Sequence, residues 1–233
     1  MTRSPTPRAR VLNTSVVPQR SQRTRTLLAC GAAAGPVYVI TGLIEGFTRS
    51  GFDLRHQDLS LLSNGPLGWI HITLFLVTGV LLILGAVGAR QALGRGGRGA
   101  TWGPRLLATY GVGLFAAGLF VADPMSGFPS GTPAGRPAHV SWHGNLHFIS
   151  AAIAFLAFIV ACFVFARRFS TRGQTGWARF SVITGVLFVA AFLGVATGSS
   201  SPGIVVSFVL AVVLAFTWIT LTSLQLRNEI TGT

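Results

Sequence analysis

The sequence contains no lysine, and its five acidic residues stand against eighteen arginines. Charged residues make up 10% of the chain, whereas an ordinary soluble domain carries charge on about a quarter of its residues. That shortage excludes a soluble enzyme with a normally solvated surface. Two cysteines are too few for a disulfide-stapled secreted scaffold. Half of the residues are apolar, which excludes a disordered chain. The net charge of +13 invites a nucleic-acid reading. A nucleic-acid binder gathers its basic residues on one folded face; here the arginines fall between long apolar runs, the pattern of membrane topology. The composition therefore predicts no nucleic-acid partner and an all-α integral membrane protein whose immediate partner is the lipid bilayer.

A bilayer core of about 30 Å needs roughly 20 apolar residues in a helix. Six runs qualify, at residues 26–47, 69–89, 106–122, 148–166, 180–197 and 203–224. The last two form one uncharged stretch between Arg179 and Arg227. As a single helix it would extend about 70 Å, so Gly198-Ser-Ser-Ser-Pro202-Gly203 must break it. Segments expected on one side hold fifteen arginines and those on the other hold three, Arg49, Arg55 and Arg136. The positive-inside rule then puts both termini in the cytoplasm. The organisation expected is a disordered arginine-rich tail at 1–25, a six-helix domain at 26–226 and a short cytoplasmic tail at 227–233.

Span one carries Gly31-Ala-Ala-Ala-Gly35 and Gly42-Leu-Ile-Glu-Gly46. Small-xxx-small faces let helix backbones approach closely, either inside the bundle or across a homodimer through the first helix. Gly111, Gly113 and Gly118 give span three a similar face. Cys30 and Cys162 read as small apolar packing residues.

All five histidines and four of the five acids fall at the end opposite most arginines: His56, His71, His139, His143, His147, Glu45, Asp53, Asp58 and Asp123. Glu45 and Asp123 lie at helix C-termini, where the helix dipole disfavours an anion; they call for a cationic partner. His71, His143 and His147 lie near helix N-termini, where neutral imidazole is favoured over imidazolium. His143 and His147, spaced i, i+4, share a helix face and could bind one metal, with Asp123 as third ligand and His56 or Asp58 as further candidates. The competing reading hydrogen-bonds both rings to loop carbonyls. Ser141 is the expected N-cap of span four, and Ser63 or Asn64 that of span two. His56, Asp58 and Ser60 are the candidate catalytic set. The Gly- and Pro-rich segment 123–142 can fold over the bundle mouth as a lid.

Gly51-Phe-Asp53, His56-x-x-Leu-Ser60-Leu-Leu, Gly65-x-x-Gly68-Trp69, Asp123-Pro124-x-x-Gly127-Phe128-Pro129 and His143-Gly144-x-x-His147 occur in that order. On these motifs the chain resembles the bacterial, actinobacterial-type membrane proteins grouped as domain-of-unknown-function family 998. The resemblance implies a six-span protein of the bacterial plasma membrane with no assigned activity. A looser similarity is to membrane hydrolases of the alkaline ceramidase type, which hold zinc with serine, aspartate and a His-x-x-x-His pair; span count and motif order differ here. Two functions follow as expectations. One is a membrane protein whose polar cluster binds a small ligand or lipid headgroup. The other is a zinc-dependent hydrolase acting on a lipid or another outer-leaflet substrate.

Overall fold

The computed structural model describes residues 16–94 and 97–231. These form six α-helices: α1 (Val16–Thr48), α2 (Gly68–Leu93), α3 (Gly97–Leu119), α4 (Trp142–Thr171), α5 (Thr175–Ala196) and α6 (Pro202–Thr231). A short 3-10 helix at Leu59–Ser63 lies in the first long connection, and there is no named strand among the described residues. Each helix packs on its chain neighbours, and α6 returns to α1, so the six close a ring. The up-and-down order divides the connections. Segments 49–67, 120–141 and 197–201 meet at one end, which holds nearly all the acids and histidines; we call it the polar end. Gly94, which follows α2, and the turn 172–174 lie at the other, arginine-rich end.

The Gly-Ser-Pro break is found where the composition requires it, with α5 ending at Ala196 and α6 starting at Pro202. Five helices are long and apolar enough to cross a membrane. The exception is α3, whose first turns carry Arg98 and Arg105 and whose body is rich in Gly, Ala and Thr; it is held between α2 and α4. The helices also outrun their apolar cores. α1 begins at Val16, so residues 16–25 of the expected disordered tail are helical, and residues 1–15 lie outside the described residues. Continuing an existing helix avoids the nucleation cost, and Thr24 Oγ1 ties this extension to Gln91 Oε1 of α2 at 2.9 Å. At the other terminus α6 continues through Arg227 to Thr231.

Large apolar side chains remain exposed along all six helices, among them Ile40, Val80, Val112, Ile153, Leu187 and Leu210. A soluble monomer does not present such a continuous apolar surface. Trp69 and Trp142 are 62% and 69% exposed at the polar end, and Trp102 is exposed at the other. Tryptophans at both ends match the aromatic belts of a membrane protein.

Small residues set the helix spacing. An added Cβ on Gly85 of α2 would meet Gly31 Cα of α1 at 2.5 Å, and one on Gly35 would meet Phe216 O of α6 at 2.7 Å. The small face of α1 at Gly31 and Gly35 is thus filled by α2 and α6 of the same chain. Gly79 and Gly111 face each other between α2 and α3, each added Cβ meeting the other's carbonyl at 2.8–2.9 Å. Cys162 is buried and Cys30 half-buried, both as free thiols. Overpacking a tight contact costs about 1–3 kcal/mol. Gly79→Leu is therefore expected to lower the melting temperature of the detergent-solubilised protein. Gly176→Leu, where nothing lies within 4 Å, should change it far less.

Candidate functional site

The last turn of α1 carries a buried carboxylate, Glu45, at the end of the helix where the dipole opposes it. Two groups offset that penalty. Arg49, four residues on, approaches Glu45 Oε1 at 3.3 Å with its side chain only 8% exposed. His71 of α2, fully buried, places Nδ1 2.8 Å from Glu45 Oε2. A carboxylate accepts, so Nδ1 carries the proton. His71 Nε2 finds no partner among the described residues. Arg49 also donates to Leu62 O at 3.2 Å and Asn64 O at 2.7 Å, and its guanidinium lies 5.6 Å from the centre of the Phe128 ring. One arginine thereby joins α1, the first connection and the second. Asn64 Nδ2 donates to Ala122 O at 3.1 Å and Gln57 Nε2 to Ser126 O at 2.8 Å, tying the same two connections together.

Asp123 and the α4 histidines close the α3–α4 corner. Asp123 accepts from Ser141 N at 2.7 Å and Ser141 Oγ at 2.6 Å. Ser141 Oγ in turn accepts from Gly144 N at 3.0 Å, as the expected N-cap of α4. The carboxylate rests on the Gly144 backbone, where an added Cβ would meet Asp123 Cγ at 2.8 Å. His143 Nδ1 donates to Val121 O at 3.0 Å, and His147 Nδ1 donates to Ala117 O at 2.9 Å and Phe120 O at 2.8 Å. Carbonyls only accept, so both rings carry their proton on Nδ1. They satisfy carbonyls that the last turn of α3 and its exit would otherwise leave unpaired.

The Nδ1–H bonds leave Nε2 as the ring nitrogen of His143 and of His147 that could still face a metal. Asp123 Oδ1 lies 3.7 Å from His143 Nδ1. No group of three or more His, Cys, Asp or Glu side chains is arranged to hold a metal ion among the described residues. The zinc expectation therefore finds no ligand set here. The expected catalytic set is also dispersed. His56 is exposed and pairs with Asp53 Oδ2 at 3.1 Å. Hydrogen bonds from the Arg55 side chain and backbone hold the Asp53 carboxyl well below the usual carboxylate range. Asp58 and Ser60 instead line a cavity inside the bundle. The expected caps of α2 differ too. Its N-cap is Leu67, without a side-chain bond; Ser63 donates to Ser60 O and Asn64 to the carbonyls of Leu61 and Ala122.

The cavity, about 390 Å³, lies on the axis of the ring and is lined by residues from all six helices. Its walls are apolar and aromatic, with Phe75, Phe155, Phe208 and Phe216 among them. The second long connection contributes Met125, Arg136 and Val140 to its lining. Asp58, Ser60, Arg136 and His147 bring polar groups to its border. Asp58 Oδ1 is buried and finds no partner among the described residues. Burial pushes the Asp58 carboxyl up, and the Arg136 charge partly offsets this. Arg136 lies against Gly198, where an added Cβ would meet Arg136 Cζ at 2.5 Å and where φ is +82°. Glycine suits that position on both counts.

From the sequence Arg49 and Arg136 read only as topology charges and Asn64 only as a candidate cap, and Gln57 was not singled out. The i, i+4 spacing of Glu45 and Arg49 is a usable signal. Nothing local marks the tie that each amide makes to the second connection, since the partners lie 58 and 69 residues away.

A family model described as a protein of unknown function, DUF998, matches residues 32–225. Comparison with curated proteins and with solved structures gave no match.

Two outcomes follow from this geometry. Removing one partner of a buried ion pair costs about 3–5 kcal/mol. Arg49→Met should therefore strongly lower the melting temperature in detergent, and Glu45→Gln/Arg49→Met should recover part of the loss. A carboxyl raised by burial destabilises the fold while ionised, and the folded state gains relative stability as pH falls through that raised value. In delipidated protein, Asp58→Asn should melt above wild type at pH 7, and acidification should close the gap. A variant that melts lower than wild type at pH 7 would contradict this account of Asp58.

Proposed function

The chain belongs to the DUF998 family, proteins of unknown function, and we propose from its own geometry that it is a multi-pass membrane protein that binds an amphiphilic small molecule in its central cavity. The observation that carries this reading is the cavity itself. It has the volume of a small-molecule site, which commonly spans about 300–1,000 Å³ and is mostly apolar with a few placed polar groups. A wholly apolar void would favour a dry or hydrocarbon occupant, and a polar one would favour water. Here extensive apolar walls combine with a few polar side chains contributed largely by the connections. A molecule with an apolar body and a polar head matches both.

The arginine distribution supports a plasma-membrane orientation with both termini in the cytoplasm and the polar end outside. The ligand would then enter from the outer leaflet, the face to which the expectation of a lipid-headgroup site already pointed. In this reading the His143, His147 and Asp123 bonds hold the wall and roof of the cavity, and the Arg49 clamp holds its rim.

The test is native mass spectrometry of the purified full chain after exchange through two chemically different detergents. Wild type should retain one amphiphile. Ala151→Trp on α4 and Val209→Phe on α6 place bulk in the cavity from two helices, and each should reduce the retained fraction by about tenfold, or roughly 1.4 kcal/mol. Their melting curves report whether each folds. Wild type without any retained amphiphile, or retention undiminished in a folded filled variant, would overturn the proposal.

A further inference from the structure

Two opposite charges border the same cavity without pairing with each other. Asp58 comes from the first connection and Arg136 from the second. Asp58 sits at the N-cap position of the 3-10 helix, where a carboxylate could accept a backbone amide, yet it makes no cap bond. Its Oδ1 is buried without a partner among the described residues. Arg136, an exposed residue, makes no hydrogen bond or ion pair among them, although its charge acts on Asp58. Both are seated from behind. The 3-10 helix that follows Asp58 buries Leu59, Leu61 and Leu62, and Arg136 rests on Gly198 at the α5–α6 turn. Asp58 is half-buried, and a carboxyl oxygen buried without a partner is costly; the native fold tolerates one here although an arginine borders the same space.

Resting on the amphiphile reading above, we infer that the cavity selects a zwitterionic headgroup, with a primary ammonium at Asp58 and a phosphate at Arg136. A purely anionic headgroup would satisfy Arg136 but leave Asp58 buried beside a like charge. A purely cationic one would do the reverse. Beside the tyrosines Tyr38 and Tyr110, two further lining residues narrow the cation. His147 has committed its Nδ1–H to the α3 carbonyls, so only its Nε2 acceptor remains for a ligand, and Ser60 adds a hydroxyl at the same cavity. Acceptors suit an ammonium that carries N–H donors; a quaternary ammonium has none to give them. The class expected is an aminophospholipid of the ethanolamine type, its acyl portion against the phenylalanine walls.

The full chain is presented with an equimolar mixture of ethanolamine, choline and glycerol phospholipids with identical acyl chains, and bound lipid is read by native mass spectrometry. Wild type should enrich the ethanolamine lipid about tenfold over each of the others. Asp58→Asn should erase the advantage over the choline lipid while still binding lipid. Arg136→Gln should weaken all three. Lipid bound without preference, or preference for the glycerol lipid, would overturn the headgroup inference and leave the amphiphile reading standing. Displacement of the bound lipid by soluble phosphoethanolamine at equal concentration would instead overturn the amphiphile reading, since the acyl portion would then contribute nothing. Asp58→Asn is the variant least exposed to misfolding, because it removes an unpaired buried charge.

Discussion

The polar end depends on a single burial problem, the carboxylate of Glu45 at the wrong end of a helix. In an apolar bundle that charge has no water to fall back on. Among the described residues Arg49 and His71 supply the compensation, and its geometry organises what surrounds it. The guanidinium has more donors than Glu45 can use. Its remaining N–H groups reach Leu62 O and Asn64 O, and its face meets Phe128. Gly65, at φ +75°, supplies the left-handed turn that follows Asn64. Neutralising one acid thus fixes the path of two loops, and those loops carry Asp58 and Arg136 to the cavity.

Scarcity of acids makes each one informative. Glu229, at the arginine-rich end, accepts from Arg168 at 2.7 Å, Arg172 at 3.5 Å and Gln174 at 3.2 Å. It locks the end of α6 to the α4–α5 turn. Asp123 ties α3 to α4, Glu45 ties α1 to α2, and Asp53 pairs with Arg55 and His56 at the surface. Four of the five acids therefore serve contacts within the chain. Asp58 alone has a carboxyl oxygen buried and unpartnered among the described residues. In a protein that uses acids so sparingly, this asymmetry separates a ligand-facing group from the structural ones.

The helices, the break before Pro202 and the Ser141 cap were legible because each rests on local signals: run length, turn composition and an N-cap residue. The gathering of acids and histidines at one end was legible because alternating spans fix which segments share a side. The demand of Glu45 for a cation was read from the helix dipole; Arg49 meets it, and His71 adds a hydrogen bond. Roles were harder. His143 and His147 at i, i+4 suit a metal and suit backbone carbonyls equally well, and the carbonyl bonds depend on where α3 ends, which the i, i+4 spacing does not state. The Asp123 and Gly144 motif residues look like site chemistry in one dimension. In space they are a carboxylate and the gap that admits it.

The cavity could not have been read from any one helix, because it is a property of the ring. Six helices packed in sequence leave an axial space that side chains must fill. Toward the arginine-rich end Trp218, Phe165, Phe169 and Phe158 fill it, all fully buried, and Trp218 Nε1 finds Ser181 Oγ at 2.9 Å. Toward the polar end α4 instead offers Ala151, Ala152 and Ala154, and the axis stays open. The hydrophobic effect alone would favour closing that space with larger residues or by drawing the helices inward. Drawing inward is resisted by the interlocked connections, whose hydrogen bonds set the spacing of the helix ends. The protein thus holds an apolar space open with the same polar contacts that bring unpaired charges to its border, and a void maintained in this way is best explained by an occupant.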